Sequence, residues 1–143
     1  MTQLVQDLIK FKGSKVESTS PETSVDAAIA HMTAKHIGSL LVLSGGELVG
    51  IVTERDMIAR VLAARRDPLT TLVREVMTRE LILIRPHDTI DRALAVVSDC
   101  RCRHLPVVEG GKLLGVISAG DLTAWLVRDQ RQLIDDLHQF ITR

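Results

Sequence analysis

Two short stretches carry residues whose types and spacing can do chemistry. The first is Gly50-Ile51-Val52-Thr53-Glu54-Arg55-Asp56; the second is Gly115-Val116-Ile117-Ser118-Ala119-Gly120-Asp121. In each, two β-branched residues follow glycine and favour a buried extended segment. A hydroxyl residue then stands where a helix N-cap belongs, with a carboxylate three residues on. The free N–H groups of a first helical turn attract anions. Thr53 or Ser118 can therefore meet a phosphate, and Asp56 or Asp121 can accept two hydrogen bonds from a sugar diol. The same spacing is also that of a capping box, which only closes a helix, and the pattern leaves both readings open. A third cluster, Cys100-Arg101-Cys102-Arg103-His104, would place Cys100, Cys102 and His104 on one face if extended. Small reduced thiols are the simpler reading, because no fourth metal ligand stands at suitable spacing. No metal is expected.

The elements that must position these residues follow from apolar periodicity and breakers. Leu4, Val5, Leu8 and Ile9 share one face of a short helix ended by Gly13-Ser14. Lys15 to Thr19 reads as a strand. Ser24 is an N-cap for a helix from Val25 to about His36, stopped by Gly38. Ser39–Leu43 and Glu47–Val52 flank a Gly45-Gly46 turn as a hairpin. A helix from Thr53 to about Ala64 follows, closed before Pro68. Laid over each other without gaps, Pro21–Asp56 and Pro86–Asp121 are identical at 11 of 36 positions. This is an internal duplication, and each unit alone is too small to bury much core. Leu72 to Thr78 reads as a linker ahead of the second unit. Leu126, Leu133, Leu137, Phe140 and Ile141 line one side of a C-terminal helix, so that stripe either packs back or meets another subunit.

Composition excludes several classes. Formal net charge is zero and aromatics make up 2% of the 143 residues. Neither the basic excess that nucleic-acid binding draws on nor a base-stacking platform is present. No apolar run approaches a membrane span, and the first residues lack a signal-peptide pattern, so a cytoplasmic protein is expected. No Gly-x-Ser-x-Gly, His-Glu-x-x-His or Gly-x-x-x-x-Gly-Lys-Ser/Thr motif occurs, so no enzyme is expected.

The duplicated junctions, with Val73-Arg74-Glu75-Val76-Met77-Thr78 and Arg103-His104-Leu105-Pro106-Val107-Val108 before Gly110-Gly111, resemble a tandem pair of cystathionine-β-synthase-type (CBS) domains. The resemblance runs from about Val16 to Leu126. It implies an α+β fold of two βαββα repeats packed as a pseudo-twofold pair. The expected layout is an N-terminal helix over 1–14, repeats over 15–70 and 71–126, and a C-terminal helix over 127–143. It also implies a regulatory module that binds an adenosine ligand (AMP first, with ATP, NAD or S-adenosylmethionine as alternatives), forms a homodimer and acts on an effector protein. The competing reading is a structural interaction module with vestigial sites. An apolar slot for the base would come from strand backbone at Val16 to Thr19 or at Ile82 to Ile84. Arg101, Arg103, His104 and Pro106 stand just ahead of the second unit's strand, and Arg103 and His104 favour phosphate contacts there. In the first unit Arg55 is the added cation, and its aligned residue Gly120 leaves room at the second junction. The expected order therefore puts Ser118 and Asp121 ahead of Thr53 and Asp56.

Overall fold

A computed structural model of the chain describes residues 3–13 and 15–141; the outermost residues of the expected terminal helices, and Ser14, lie outside that set. In chain order the elements are α1 (Val5–Lys12), β1 (Ser18–Thr19), α2 (Val25–Lys35), β2 (Ser39–Ser44), β3 (Glu47–Thr53), α3 (Glu54–Asp56), α4 (Val73–Val76), α5 (Ile90–Cys100), β4 (His104–Glu109), β5 (Lys112–Ser118) and α6 (Ala119–Ile141). A π-helical segment, Met57–Leu62, continues α3. The chain divides into two compact units: Val16–Leu81, and the residues before Val16 together with those from Ile82 onward.

In the Val16–Leu81 unit the sheet order is β1-β2-β3, with β1 parallel and β3 antiparallel to β2. In the other unit β4 and β5 form an antiparallel hairpin, and the first strand shrinks to one parallel bridge, Ile84 to Val107. That bridge is the second repeat's counterpart of Thr19 to Val42, and the hairpin registers and their bulges recur in the same alignment. Gly45-Gly46 and Gly110-Gly111 all have positive φ, as tight hairpin turns demand. Ser24 Oγ accepts the Ala27 N–H at 3.1 Å, and Thr89 Oγ1 accepts the Arg92 N–H at 3.0 Å. Each unit buries its own core. Val25, Leu40, Val42 and Val52 anchor one; Ile84, Leu105, Ile117 and Leu122 anchor the other. The chain is α+β with two repeats of βαββα order.

Several expectations need correction. The first strand is only Ser18–Thr19. The stop of α2 is His36 in the left-handed conformation (φ 54°), not Gly38, and Arg101 (φ 53°) repeats it after α5. Gly38 instead accepts the Glu54 N–H on its carbonyl at 3.0 Å, as Arg103 accepts that of Ala119 at 2.8 Å. α6 runs unbroken from Ala119 to Ile141. Its stripe does not pack back: Leu133, Leu137, Phe140 and Ile141 are all exposed.

The apolar segment around α4 closes the first repeat rather than opening the second. The Val73 and Arg74 N–H groups bond the carbonyls of Thr23 and Pro21, and Val25 N–H bonds Thr71 O. α1 does the same for the second repeat, through Val5 to Asp88, Gln6 to Pro86, and Ile90 back to Gln3. The two segments also share a sequence pattern, Leu4-Val5-Gln6-Asp7-Leu8 and Leu72-Val73-Arg74-Glu75-Val76, in which the acid bonds the leucine N–H at 3.0 and 2.7 Å.

This packing explains Gly50 and Gly115. A Cβ on Gly50 would lie 2.8 Å from Met77 Sδ and 2.9 Å from the Thr78 carbonyl; one on Gly115 would meet only Ile9, with Cδ1 at 2.9 Å. Backbone cannot step aside, whereas the tip of an isoleucine can. Gly50→Ala is therefore expected to cost about 1–3 kcal/mol and Gly115→Ala less than about 1 kcal/mol. Urea unfolding of both variants checks the order.

Candidate functional site

Both hydroxyl-x-x-Asp stretches sit where the sequence places them, at the end of a hairpin strand turning into a helix, and both form reciprocal caps. At the first, Asp56 Oδ2 accepts the Thr53 N–H (2.9 Å) and hydroxyl (3.1 Å), while Thr53 Oγ1 accepts the Asp56 N–H (3.2 Å). At the second, Asp121 Oδ2 accepts the Ser118 N–H (2.8 Å), and Ser118 Oγ accepts the Asp121 N–H (3.0 Å). The capping reading thus holds at both junctions.

The surroundings of the two acids differ. Asp56 is 7% exposed, and its other oxygen is engaged too: Oδ1 accepts the Thr78 hydroxyl at 3.2 Å and lies 3.7 Å from Arg60 Nε. Asp121 keeps 27% of its side chain exposed. Its added partner is Lys12, whose ammonium reaches Oδ2 at 2.5 Å and the Val116 carbonyl at 2.7 Å. Both the Ser118 and the Lys12 contacts fall on Oδ2, and Oδ1 takes part in neither. Burial alone would push the Asp121 carboxyl up. The Lys12 hydrogen bond and charge, with the Ser118 bonds, outweigh it and hold the carboxyl below the usual range.

Lys12 does for the second repeat what Thr78 does for the first. Thr78 gives its N–H to the Ile51 carbonyl (2.8 Å) and its hydroxyl to Asp56; Lys12 gives its ammonium to the Val116 carbonyl and to Asp121. The acceptors are aligned positions of the duplication, Ile51 with Val116 and Asp56 with Asp121. A neutral hydroxyl on a short side chain serves one junction, and a cation on a flexible stem serves the other. Sequence reasoning missed both donors. Neither lies near its acid in the chain, Lys12 being 109 residues from Asp121.

The remaining candidates divide by role. His104 pairs in register with Ser118 and is half-buried beside it. Arg103 and Arg55 have exposed side chains next to their junctions. Pro106 is buried, and its carbonyl accepts the Ile84 N–H at 3.0 Å. Ile84 is 2% exposed with both backbone groups used in its bridge, so it contributes core rather than a free base-binding edge. Thr19 is half-buried in β1, and Val16 lies just before it. The Cys100–His104 run is not extended, because Cys100 ends α5 and Arg101 is left-handed. Burial, then the neighbouring Cys100, pushes the Cys102 thiol up, away from a metal-binding thiolate. Among the described residues no three His, Cys, Asp or Glu side chains are grouped to hold a metal ion.

A duplicated α+β unit whose hairpin delivers hydroxyl-x-x-Asp to a helix start defines the class as a tandem pair of βαββα repeats. The CBS domain profile matches residues 7–63 and 73–128, and the chain belongs to the CBS-domain family. It is 32% identical over 147 residues to the mitochondrial CBS domain-containing protein CBSX3 of Arabidopsis thaliana, covering 96% of this chain and 71% of that one. A CBS-domain protein from Burkholderia ambifaria MC40-6, proposed to act in signal transduction, superposes with a TM-score of 0.85 at 37% identity (90% of this chain, 96% of that one). The CBS domain structure NE2398 superposes equally well at 35% identity (89% and 99%). These relatives fit a regulatory module. No helix among the described residues is long and apolar enough to cross a membrane.

Proposed function

We propose that the chain is an adenine-nucleotide sensor whose principal site is the Ser118/Asp121 junction, and that it regulates a partner protein without catalysing a reaction. The observation that carries this reading is the contrast between the acids. Asp56 is buried with both oxygens engaged, whereas Asp121 is partly exposed with its contacts on Oδ2. A ribose diol has an acceptor to meet at Asp121. The start of the 23-residue α6 and the Lys12 ammonium favour a phosphate beside it. AMP is the simplest ligand with both features; ATP, NAD and S-adenosylmethionine share its adenosyl part. Self-association into a homodimer belongs to the same reading, supported by the exposed stripe of α6, and so does a cytoplasmic setting.

Calorimetry with AMP, ATP, NAD and S-adenosylmethionine tests it. Asp121→Ala is expected to weaken adenosyl-ligand binding more than Asp56→Ala, each measured where circular dichroism shows the variant folded. Equal effects, or the reverse order, would overturn the ranking. Absence of binding by all four ligands would favour the structural interaction module. Phosphate release from ATP under the same conditions would make the protein an enzyme.

A further inference from the structure

One concavity in the Val16–Leu81 unit takes no part in that reading. It is an open depression of about 680 Å³ lined by four arginines, Arg60, Arg66, Arg74 and Arg79, with Glu75 and Glu80. The volume lies within the roughly 300–1,000 Å³ typical of small-molecule sites. Arg60 is structural: it donates to the Val76 and Met77 carbonyls at 3.1 Å, closing the end of α4. Arg66 is matched by Glu75 at 3.6 Å. Arg74 and Arg79 are exposed, and among the described residues neither is ion-paired to a carboxylate. Among the described residues, the Arg79 side chain bonds the Arg74 carbonyl at 3.3 Å. That bond ties the Arg79 side chain to the Arg74 backbone without neutralising either guanidinium. Two guanidiniums without a carboxylate partner among the described residues line this concavity, and in a chain of zero net charge they form a local concentration of positive charge.

We infer that this concavity binds a compact anion of the phosphate or pyrophosphate kind, held between Arg74 and Arg79. Guanidinium forks match phosphate oxygens two at a time. The lining has no aromatic ring and a single apolar side chain, Met77, so an adenine finds nothing to stack on. Glu80 works against an anion, because it lines the same concavity and is paired with no cation among the described residues. Neither Ser118 nor Asp121 lines it, and the inference does not depend on the nucleotide reading.

The test is calorimetric titration of the full chain with pyrophosphate at constant ionic strength. Saturable binding of one equivalent per chain is expected, weakened at least tenfold in the double variant Arg74→Gln/Arg79→Gln and strengthened a few-fold in Glu80→Gln. Asp121→Ala should bind pyrophosphate as the wild type does, and saturating AMP should not displace it. Competition by ATP but not by AMP also supports the site and makes a nucleotide's polyphosphate tail the source of the anion. Three results would overturn the inference: undiminished binding in the double variant, a heat signal that chloride or sulfate reproduces in full, or displacement by AMP. The arginine and Glu80 variants change exposed side chains, and thermal melts confirm that every variant folds. Failure of AMP to bind anywhere would count against the nucleotide reading alone.

Discussion

Asp56→Ala is expected to lower the unfolding free energy by about 2–4 kcal/mol, the loss that follows when a buried, fully partnered carboxylate is deleted. Four donors face that group: the Thr53 N–H and hydroxyl, the Thr78 hydroxyl, and Arg60 across 3.7 Å. Removing it uncaps α3 and strands the Thr78 hydroxyl. It also weakens the seam where Thr78 bridges Ile51. The aligned change Asp121→Ala removes a cap from a longer helix at a wetter site, and is expected to cost no more than about 2 kcal/mol. Urea titrations followed by circular dichroism compare the two directly. Asp56→Asn, which keeps one acceptor oxygen, should fall between Asp56→Ala and wild type. A smaller loss at Asp56 than at Asp121 would contradict the burial argument. The prediction also separates folding from binding, since a ligand defect in Asp56→Ala is informative only while the variant stays folded.

What the sequence makes legible is whatever the duplication repeats at one offset. Hairpins, glycine turns, N-caps and both acid junctions recur at aligned positions, and local chemistry suffices to place them. What it hides depends on other spacings. The Leu-Val-x-acid-apolar segments of α1 and α4 match Leu4 to Leu72, a longer step than the one from Pro21 to Pro86, and so fall outside the gapless overlay. Each closes a repeat by backbone bonds that apolar periodicity cannot reveal, so α4 reads as a linker when it is core. The helix after Thr53 reads as plain α because its apolar stripe suits either pitch. The bond from Ala63 N–H to the Ile58 carbonyl has the wider, π-type step. His36 and Arg101 end their helices in a conformation usually given to glycine, so a reading keyed to glycine runs past His36 to Gly38. Nothing between Asp121 and Ile141 breaks a helix, so a boundary at 126/127 has no local cause. The candidate acids are visible in the sequence; the partners that make them unequal, Thr78 and Lys12, are not.

Lys12→Met is expected to weaken AMP binding about tenfold, or roughly 1.4 kcal/mol, while weakening adenosine binding much less. Methionine keeps an apolar stem of similar length and removes only the charge. If the Ser118/Asp121 junction takes a nucleotide, the ammonium fixes Oδ2 and leaves Oδ1 to a ribose hydroxyl. It also adds a positive charge where a phosphate would approach the start of α6. Only the second effect depends on the phosphate, so the difference between AMP and adenosine isolates it. Equal losses would reduce Lys12 to a positioning residue, and tighter AMP binding would make it a competitor for Asp121. An independent readout comes from acid. With the Asp121 carboxyl held low in the folded state, its contribution to stability is fully present above its unfolded value of about 3.9 and is lost as pH falls through the lower folded value. Without Lys12 the remaining opponents are burial, which raises the value, and the Ser118 bonds, which lower it. The interval between folded and unfolded values then narrows, and the variant should lose less stability than wild type between about pH 5 and pH 2. Urea midpoints across that range measure the difference. An unchanged acid profile would mean that the Lys12 contact is too screened to matter, and the charge argument for a phosphate beside Asp121 would fall with it.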